Sequence, residues 1–421
     1  MRGAHGGFAD LWIWDRMRGS LPWYYDVATN RMPAKYLIAR RVPCGADLRE
    51  AGEEELWAEH ARATERFLSL WREIRDGRRE LAEIPRAEPS LMDLSVELVH
   101  RMLRECHFCR WNCRVDRVAG TKLGTCQLDS VSRVSTYFHH RGEELIFRGT
   151  RGSGTIFFTS CNLRCQYCQN GDISHDKENG IPMTPRQIAA MAWQLRMEGC
   201  HNINWVGGEP TPHLHNIVEA ISLLDSMPPP REDIDRAERA KADAWDHFPF
   251  RNGDASYGAE FNAPMLWNSN FFMSPEAMRI LRPLVDIWLP DFKYGNDKCA
   301  VFLSRTPWYV ETVAGNHRLV HDWGEDVVIR HLVMPGHVEC CTKPVLKWIA
   351  ENTPRFPVNV MDQYHPDYAC DPRSPRFEER YRSMARRLRP KEILEAYECA
   401  ESLGLRFEDV TYEKTTMDLE P

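Results

Sequence analysis

No stretch of this sequence reaches the roughly 18 apolar residues that a membrane-spanning helix requires. The opening segment, Met1 to Asp10, lacks the apolar core of a secretory signal, so a cytoplasmic location is expected. A surplus of positive charge is missing as well. Fifty-four Lys and Arg stand against 61 Asp and Glu, a net charge of −7, which argues against a dedicated nucleic-acid-binding surface. The glycines Gly149, Gly152 and Gly154 do not make a phosphate-binding loop. No Lys-Ser/Thr pair follows them, and the next element reads as a strand rather than a helix. They are expected to permit close backbone packing beside the cysteine loop that comes next.

Cysteine is what the chain has in quantity. There are 14, and seven of them fall between Cys106 and Cys168. In a reducing compartment, clustered cysteines read as metal ligands rather than disulfides. Cys161, Cys165 and Cys168 have the spacing C-x3-C-x2-C, with Tyr167 just before the last. Three thiolates on one short loop can hold three irons of a [4Fe–4S] cluster and leave the fourth iron open to a small molecule. The competing reading is a structural zinc loop. Against it, an apolar run precedes the triad and Gly207-Gly208-Glu209-Pro210 follows it. Cys106, Cys109, Cys113 and Cys126 form a second set, C-x2-C-x3-C-x12-C. Four thiolates suit zinc, mononuclear iron or a further cluster, and spacing alone does not separate these. Cys340 and Cys341 lie at a helix start, whose dipole would lower a thiol pKa. Being adjacent, they are not expected to converge on one metal. His139 and His140 read as a solvated pair.

Periodicity gives the organisation. Residues 1–95 read as a helical extension: an aromatic-rich start (Trp12, Trp14, Trp23, Tyr24, Tyr25) and an amphipathic helix over 53–81. A second amphipathic helix, 92–104, leads into the upstream cysteines, and residues 96–148 form a cysteine-rich metal-binding segment. Over 149–370, strands alternate with helices: strands at 155–159, 202–206, 265–268, 286–289, 327–333 and 358–361. That alternation predicts an α/β fold with a parallel sheet, and six strands fit a partial (β/α)6 barrel. Residues 228–263, rich in proline and charge, read as an inserted loop or lid or as a disordered linker, and 371–421 as a C-terminal helical region. In such a barrel the chemistry gathers at the carboxyl ends of the strands. The cysteine triad, Gly207 to Pro210, Asn268 and Asp291 all fall there.

The cysteine loop, Gly207-Gly208-Glu209-Pro210 and this strand order together resemble the radical S-adenosylmethionine (SAM) superfamily. Within it, the segments 149–158, 199–204, 285–294, 330–336 and 359–364 resemble uncharacterised proteins similar to pyruvate formate-lyase activating enzyme, and the upstream cysteines belong to the same likeness. The resemblance covers roughly 105–405. It implies a cluster on Cys161, Cys165 and Cys168 whose open iron chelates the amino and carboxylate groups of SAM. One-electron reduction then breaks the C–S bond and gives a 5′-deoxyadenosyl radical, which abstracts hydrogen from a substrate. It further implies that Gly207 and Gly208 let backbone approach the methionine moiety and that Glu209 takes its ammonium. Asn268 is expected near the ribose, Asp291 and Lys293 near SAM and substrate as an Asp-x-Lys pair, and Arg330 near the SAM carboxylate. Asp362 and His365 are weaker substrate-binding candidates. No cobalamin signature is recognisable.

The first functional expectation is therefore hydrogen abstraction from a protein or peptide, including activation of a glycyl radical enzyme. A flavodoxin or ferredoxin would supply the electron. The alternatives are methylation or rearrangement of a small molecule, RNA or cofactor precursor, and a non-catalytic iron–sulfur or zinc scaffold.

Overall fold

The computed structural model describes residues 18–149, 151–242 and 255–411. Trp12 and Trp14 lie outside them.

The first described elements are helical. Pro22–Ala28 and Lys35–Ala39 are short. Glu53–Arg75 is long, with three glutamates in its first turn and two arginines in its last, which suits the helix dipole. Its buried face (Leu56, Ala63, Phe67, Trp71, Ile74) recurs at three- and four-residue spacing. Leu91–Met102 starts with a reciprocal capping box between Ser90 and Asp93.

The barrel follows. Strand β1 (Ser132–His140) is antiparallel to β2 (Ser153–Phe158) and, at its other edge, to β3 (Ile181–Met183). From β2 onward the strands are parallel and lie in sequence order: β4 (Ile203–Gly207), then β7 (Met265–Ser269) and β8 (Ile287–Pro290). The small hairpin β5 (Ser256–Tyr257) and β6 (Glu260–Phe261) stands apart from this sheet. Strand β9 (Ile329–Leu332) joins β8 through the bridges Trp288 to Val327 and Asp291 to Arg330. It pairs in parallel with β10 (Val358–Met361). Six parallel strands thus curve into the expected partial (β/α)6 barrel. Most of their residues are buried because helices cover the outside, while Asn204, Asn268 and Arg330 bring polar groups to the site. The expected helix after Thr184 is Pro185–Met197, closed at its start by a Thr184–Gln187 capping box with proline at its first position.

The described N-terminal residues pack directly on the barrel. Leu21, Tyr24 and Ala28 share one buried cluster with Leu266, Ile287, Leu289 and Val328 from three barrel strands and their flanks. The Trp23 indole donates to Asp286 at 2.9 Å, and the Tyr24 backbone N–H donates to Asp326 at 2.8 Å. These aspartates precede β8 and β9, so the segment plugs the amino end of the barrel and leaves the carboxyl end for the site.

Two expectations are corrected. The glycines at 149–154 lie at the start of β2, the end remote from the cysteine loop. A Cβ on Gly149 would strike the His201 ring and one on Gly154 the Asn202 carbonyl. The described part of the 228–263 insert is not a lid. Its helix Arg231–Glu238 packs on Pro185–Met197, where Arg186 pairs with Asp233 at 2.9 Å, and Lys241 bridges to Tyr137 of β1.

Candidate active site

One cavity of about 370 Å³ opens at the carboxyl end of the barrel. Cys161, Cys165, Cys168, Gly207, Gly208, Glu209, Asn268, Asp291, Lys293 and Arg330 all line it. The sequence separates these ten residues by up to 169 positions, from Cys161 to Arg330; the barrel brings them to one place.

The triad loop leaves β2 through Ser160, which has a positive φ of 67°. Each cysteine sulfur has hydrogen-bond donors. The Leu163 N–H and the Asn270 amide reach Cys161 Sγ at 3.3 and 3.5 Å. The Ser174 hydroxyl reaches Cys168 Sγ at 3.2 Å, and the Tyr294 hydroxyl lies 3.7 Å from Cys165 Sγ. Burial raises all three thiol pKa values, so metal binding there must displace their protons. Donors aimed at sulfur fit a cluster, whose charge and potential such bonds tune.

The Gly-Gly-Glu turn is packed against this loop. Gly207 has φ 126°, and a Cβ there would sit 2.2 Å from the Phe158 nitrogen and oxygen; one on Gly208 would sit 2.0 Å from the Ser160 oxygen. Both positions therefore require glycine for contact with the cluster loop itself. Glu209 is buried and richly solvated by protein. Its Oε1 accepts from the hydroxyls of Ser269 (2.6 Å) and Thr211 (2.5 Å), and its Oε2 from the Asn270 N–H (2.8 Å). Burial raises its pKa despite these bonds. Oε2, with one donor, retains lone-pair capacity for a further cation.

The opposite wall is a charge network. Asp291 accepts from Lys293 and, at 3.2 Å, from Arg330 Nε. Arg330 also donates to the Asn268 carbonyl oxygen and to Glu143 at 3.4 Å. Glu143 in turn accepts from the Asn204 amide at 2.8 Å. Burial would raise the Glu143 and Asp291 pKa values, but hydrogen bonds and facing positive charges outweigh it and lower both. Both remain carboxylates.

Glu143, Asn204, Asn270 and Tyr294 were not among the sequence candidates. Asn204 carried a signal: a polar residue inside the apolar run of β4. Glu143 sits in the connection between β1 and β2 and belongs to no motif. Asp362 and His365 do not line the cavity; Asp362 accepts from Tyr397 at 3.0 Å and His365 pairs with Asp367 at 2.5 Å. His139 is not solvated. It is buried between Glu198 (2.7 Å) and the Arg151 carbonyl (2.8 Å), while His140 lines the cavity.

The upstream cysteines dock on the triad loop. The Ser160 hydroxyl donates to the Cys126 carbonyl, the Trp111 indole to the Asn162 carbonyl at 2.7 Å, and Arg164 to the Thr125 carbonyl at 2.5 Å. A Cβ on Gly124 would lie 2.9 Å from Cys113 Sγ, so glycine there lets the sulfur pack. Cys340 and Cys341 do the opposite of what was expected: with Cys299 and His337 they form one group whose ligand atoms all lie within 4.8 Å. Burial raises their thiol pKa values rather than the dipole lowering them.

A six-stranded parallel barrel with a buried C-x3-C-x2-C loop and a Gly-Gly-Glu turn at its carboxyl end defines a class of cluster-bearing radical enzymes. The sequence profile described as the radical SAM superfamily matches residues 155–349. An uncharacterised protein of Methanocaldococcus jannaschii is 33% identical over 388 residues, 91% of this chain and 97% of its own. The chain belongs to the radical SAM superfamily, whose members carry a [4Fe–4S] cluster and use SAM. Solved structures are more remote. A domain of pyruvate-formate lyase-activating enzyme from Bacteroides vulgatus is 13% identical, with 34% of this chain and 80% of that one covered and a TM-score of 0.27. SuiB of Streptococcus suis bound to S-adenosylmethionine is 11% identical, with 59% and 48% covered and a TM-score of 0.37. The superfamily assignment rests on the profile match. Among the described residues no helix is long and apolar enough to cross a membrane.

Proposed function

We propose that the chain cleaves SAM reductively at a [4Fe–4S] cluster on Cys161, Cys165 and Cys168 and directs the 5′-deoxyadenosyl radical to a protein or peptide substrate. The observation that carries this reading is the single cavity lined by the triad, Glu209 and the Asp291–Lys293–Arg330 network. The bound cluster supplies one electron to the sulfonium, delivered from outside by a flavodoxin or ferredoxin. The protein's part is placement. Glu209 offers a carboxylate oxygen to the SAM ammonium. Arg330, held by Asp291, Asn268 and Glu143, offers a fixed guanidinium to a carboxylate. The wall of buried groups keeps water from the reacting atoms.

Size favours a macromolecular substrate. About 370 Å³ is near the lower end for a pocket holding one small ligand. Filled by SAM beside the cluster, it leaves little room for a second whole molecule. A peptide segment presenting one residue at the rim, where Gln169, Asn170 and Gln363 are exposed, meets that limit. The Asp-x-Lys and Arg330 segments, which resemble those of the activating enzymes, support the same substrate class.

Anaerobically reconstituted protein with dithionite and SAM is expected to release 5′-deoxyadenosine and methionine. The Cys161→Ala/Cys165→Ala/Cys168→Ala variant should release none and lose about four irons. Wild-type protein that carries the cluster and yields no 5′-deoxyadenosine would overturn the proposal.

A further inference from the structure

A second metal-ligating group lies away from the cavity. Cys299 comes from the helix Asp297–Ser304, and His337, Cys340 and Cys341 come from the turn after β9. Cys299 Sγ lies 3.7 Å from Cys340 Sγ and 3.7 Å from His337 Nδ1; Cys340 Sγ lies 3.3 Å from the same nitrogen. A tetrahedral zinc ion, with bonds of about 2.3 Å to sulfur and about 2.0 Å to nitrogen, sets its ligand atoms about 3.8 Å (S···S) and about 3.5 Å (S···N) apart. The three separations among Cys299, His337 and Cys340 match, and Cys341 Sγ lies within 4.8 Å of each of the other ligand atoms. They do not match a disulfide, whose sulfurs are about 2.0 Å apart.

The backbone explains how adjacent cysteines reach one point. Val338–Thr342 is a single π-helical turn, a wider winding than the α-helix that continues it and a form found often at functional sites. The segments carrying the ligands are joined independently of any ion. Asn296 caps the Cys299 helix through the Cys299 N–H at 2.8 Å and donates to the Cys340 carbonyl at 2.8 Å. Gly295 lies so close that a Cβ would be 2.8 Å from the Cys340 oxygen and 3.0 Å from Cys341 Cα. Cys341 is fully buried and Cys299 nearly so.

We propose that Cys299, His337, Cys340 and Cys341 bind one zinc ion in a closed Cys3His site. Four protein ligands leave no open position, so the role is structural rather than catalytic. Its place in the fold defines what it holds. Lys293 and Tyr294 immediately precede Gly295, and both face the cluster loop. The ion clamps the segment after β8 to the segment after β9, and so fixes the Asp291–Lys293 wall of the cavity. This site is distinct from the upstream Cys106–Cys126 set and does not depend on radical chemistry.

The test is metal analysis of the full chain purified without added metal. The Cys299→Ser/Cys340→Ser variant is expected to carry one zinc equivalent fewer than the parent, with iron and sulfide unchanged. Cys109→Ser, in the upstream set, should keep that zinc. His337→Gln removes a ligand without touching a thiol and should lose its zinc to a chelator faster than the parent. As a measurement independent of variants, iodoacetamide should label Cys340 in the native chain only after chelation. Unchanged zinc in the double variant, loss of iron in its place, Cys340 labelled equally with and without chelator, or a Cys299–Cys340 disulfide found by mass spectrometry would each overturn the assignment.

Discussion

At the scale of single residues, Gly207 of the Gly-Gly-Glu turn and Gly336 after β9 separate conformation from crowding. Gly207 and Gly336 both have positive φ, 126° and 74°. A Cβ at Gly336 meets nothing within 4 Å, whereas at Gly207 it meets Phe158 backbone at 2.2 Å. Gly336→Ala should therefore cost only backbone strain, about 1 kcal/mol. Gly207→Ala adds a clash with atoms that cannot rotate away, and should cost about 3 kcal/mol or more. Because Phe158 runs straight into the triad loop, Gly207→Ala should also lower cluster content on reconstitution, while Gly336→Ala leaves it unchanged. Urea unfolding and iron analysis of the two variants check this; equal losses of stability would remove the crowding argument. The sequence made the glycines legible as a motif but assigned them to SAM alone. Their contact with β2 is a matter of strand neighbours, which no local pattern shows.

At the scale of elements, a buried ion group joins β1, the end of the Pro185–Met197 helix and the insert. His139 pairs with Glu198 at 2.7 Å, and Lys241 pairs with the other carboxylate oxygen at 2.6 Å. Burial alone would lower the His139 pKa. Hydrogen bonds to Cys200 and Glu198 outweigh it and raise the value to about 10. A histidine whose folded pKa exceeds its unfolded value of about 6.5 binds its proton more tightly in the native state. Its contribution to stability is then complete below about pH 6.5 and is lost as pH rises through about 10. His139→Gln removes this dependence. Urea unfolding between pH 6.5 and 10 should show the wild-type chain losing a few kcal/mol relative to the variant; parallel curves would mean that His139 is not charged in the fold. No local pattern in the sequence points to this group. A His-His pair on a strand reads as solvent-facing unless the insert that covers it is known. By contrast, the six barrel strands were legible because short, mainly apolar runs alternate with segments of helical spacing. The Cys161–Cys165–Cys168 triad was legible because its spacing is local. The Cys299–Cys341 group was not, since 38 residues separate Cys299 from His337 and only a π turn lets neighbours converge.

At the scale of the whole molecule, the N-terminal segment holds the barrel from below. Lys35, just after the residues that plug the strands, forms an ion pair with Glu325, 290 residues away and just before β9. Both side chains are 1% exposed, and Lys35 Nζ also lies 4.8 Å from the centre of the Trp71 ring. The pair thus connects the first segment, the long Glu53–Arg75 helix and the barrel's second half. Desolvation makes such a pair a weak source of net stability, but a half-broken one is costly, because a lone charge is left in the interior. Lys35→Met should destabilise the chain by about 3–5 kcal/mol, and Glu325→Leu by a similar amount. The double variant should recover most of the loss, since two apolar side chains replace two charges in a packed environment. Denaturant unfolding of the four proteins in a double-mutant cycle measures the coupling. If the three variants lose stability additively, the segment is held by its apolar contacts alone. A large favourable coupling instead makes the N-terminal segment a charge-matched part of the barrel, fixing the strand ends from which Asp291 and Arg330 reach the cavity.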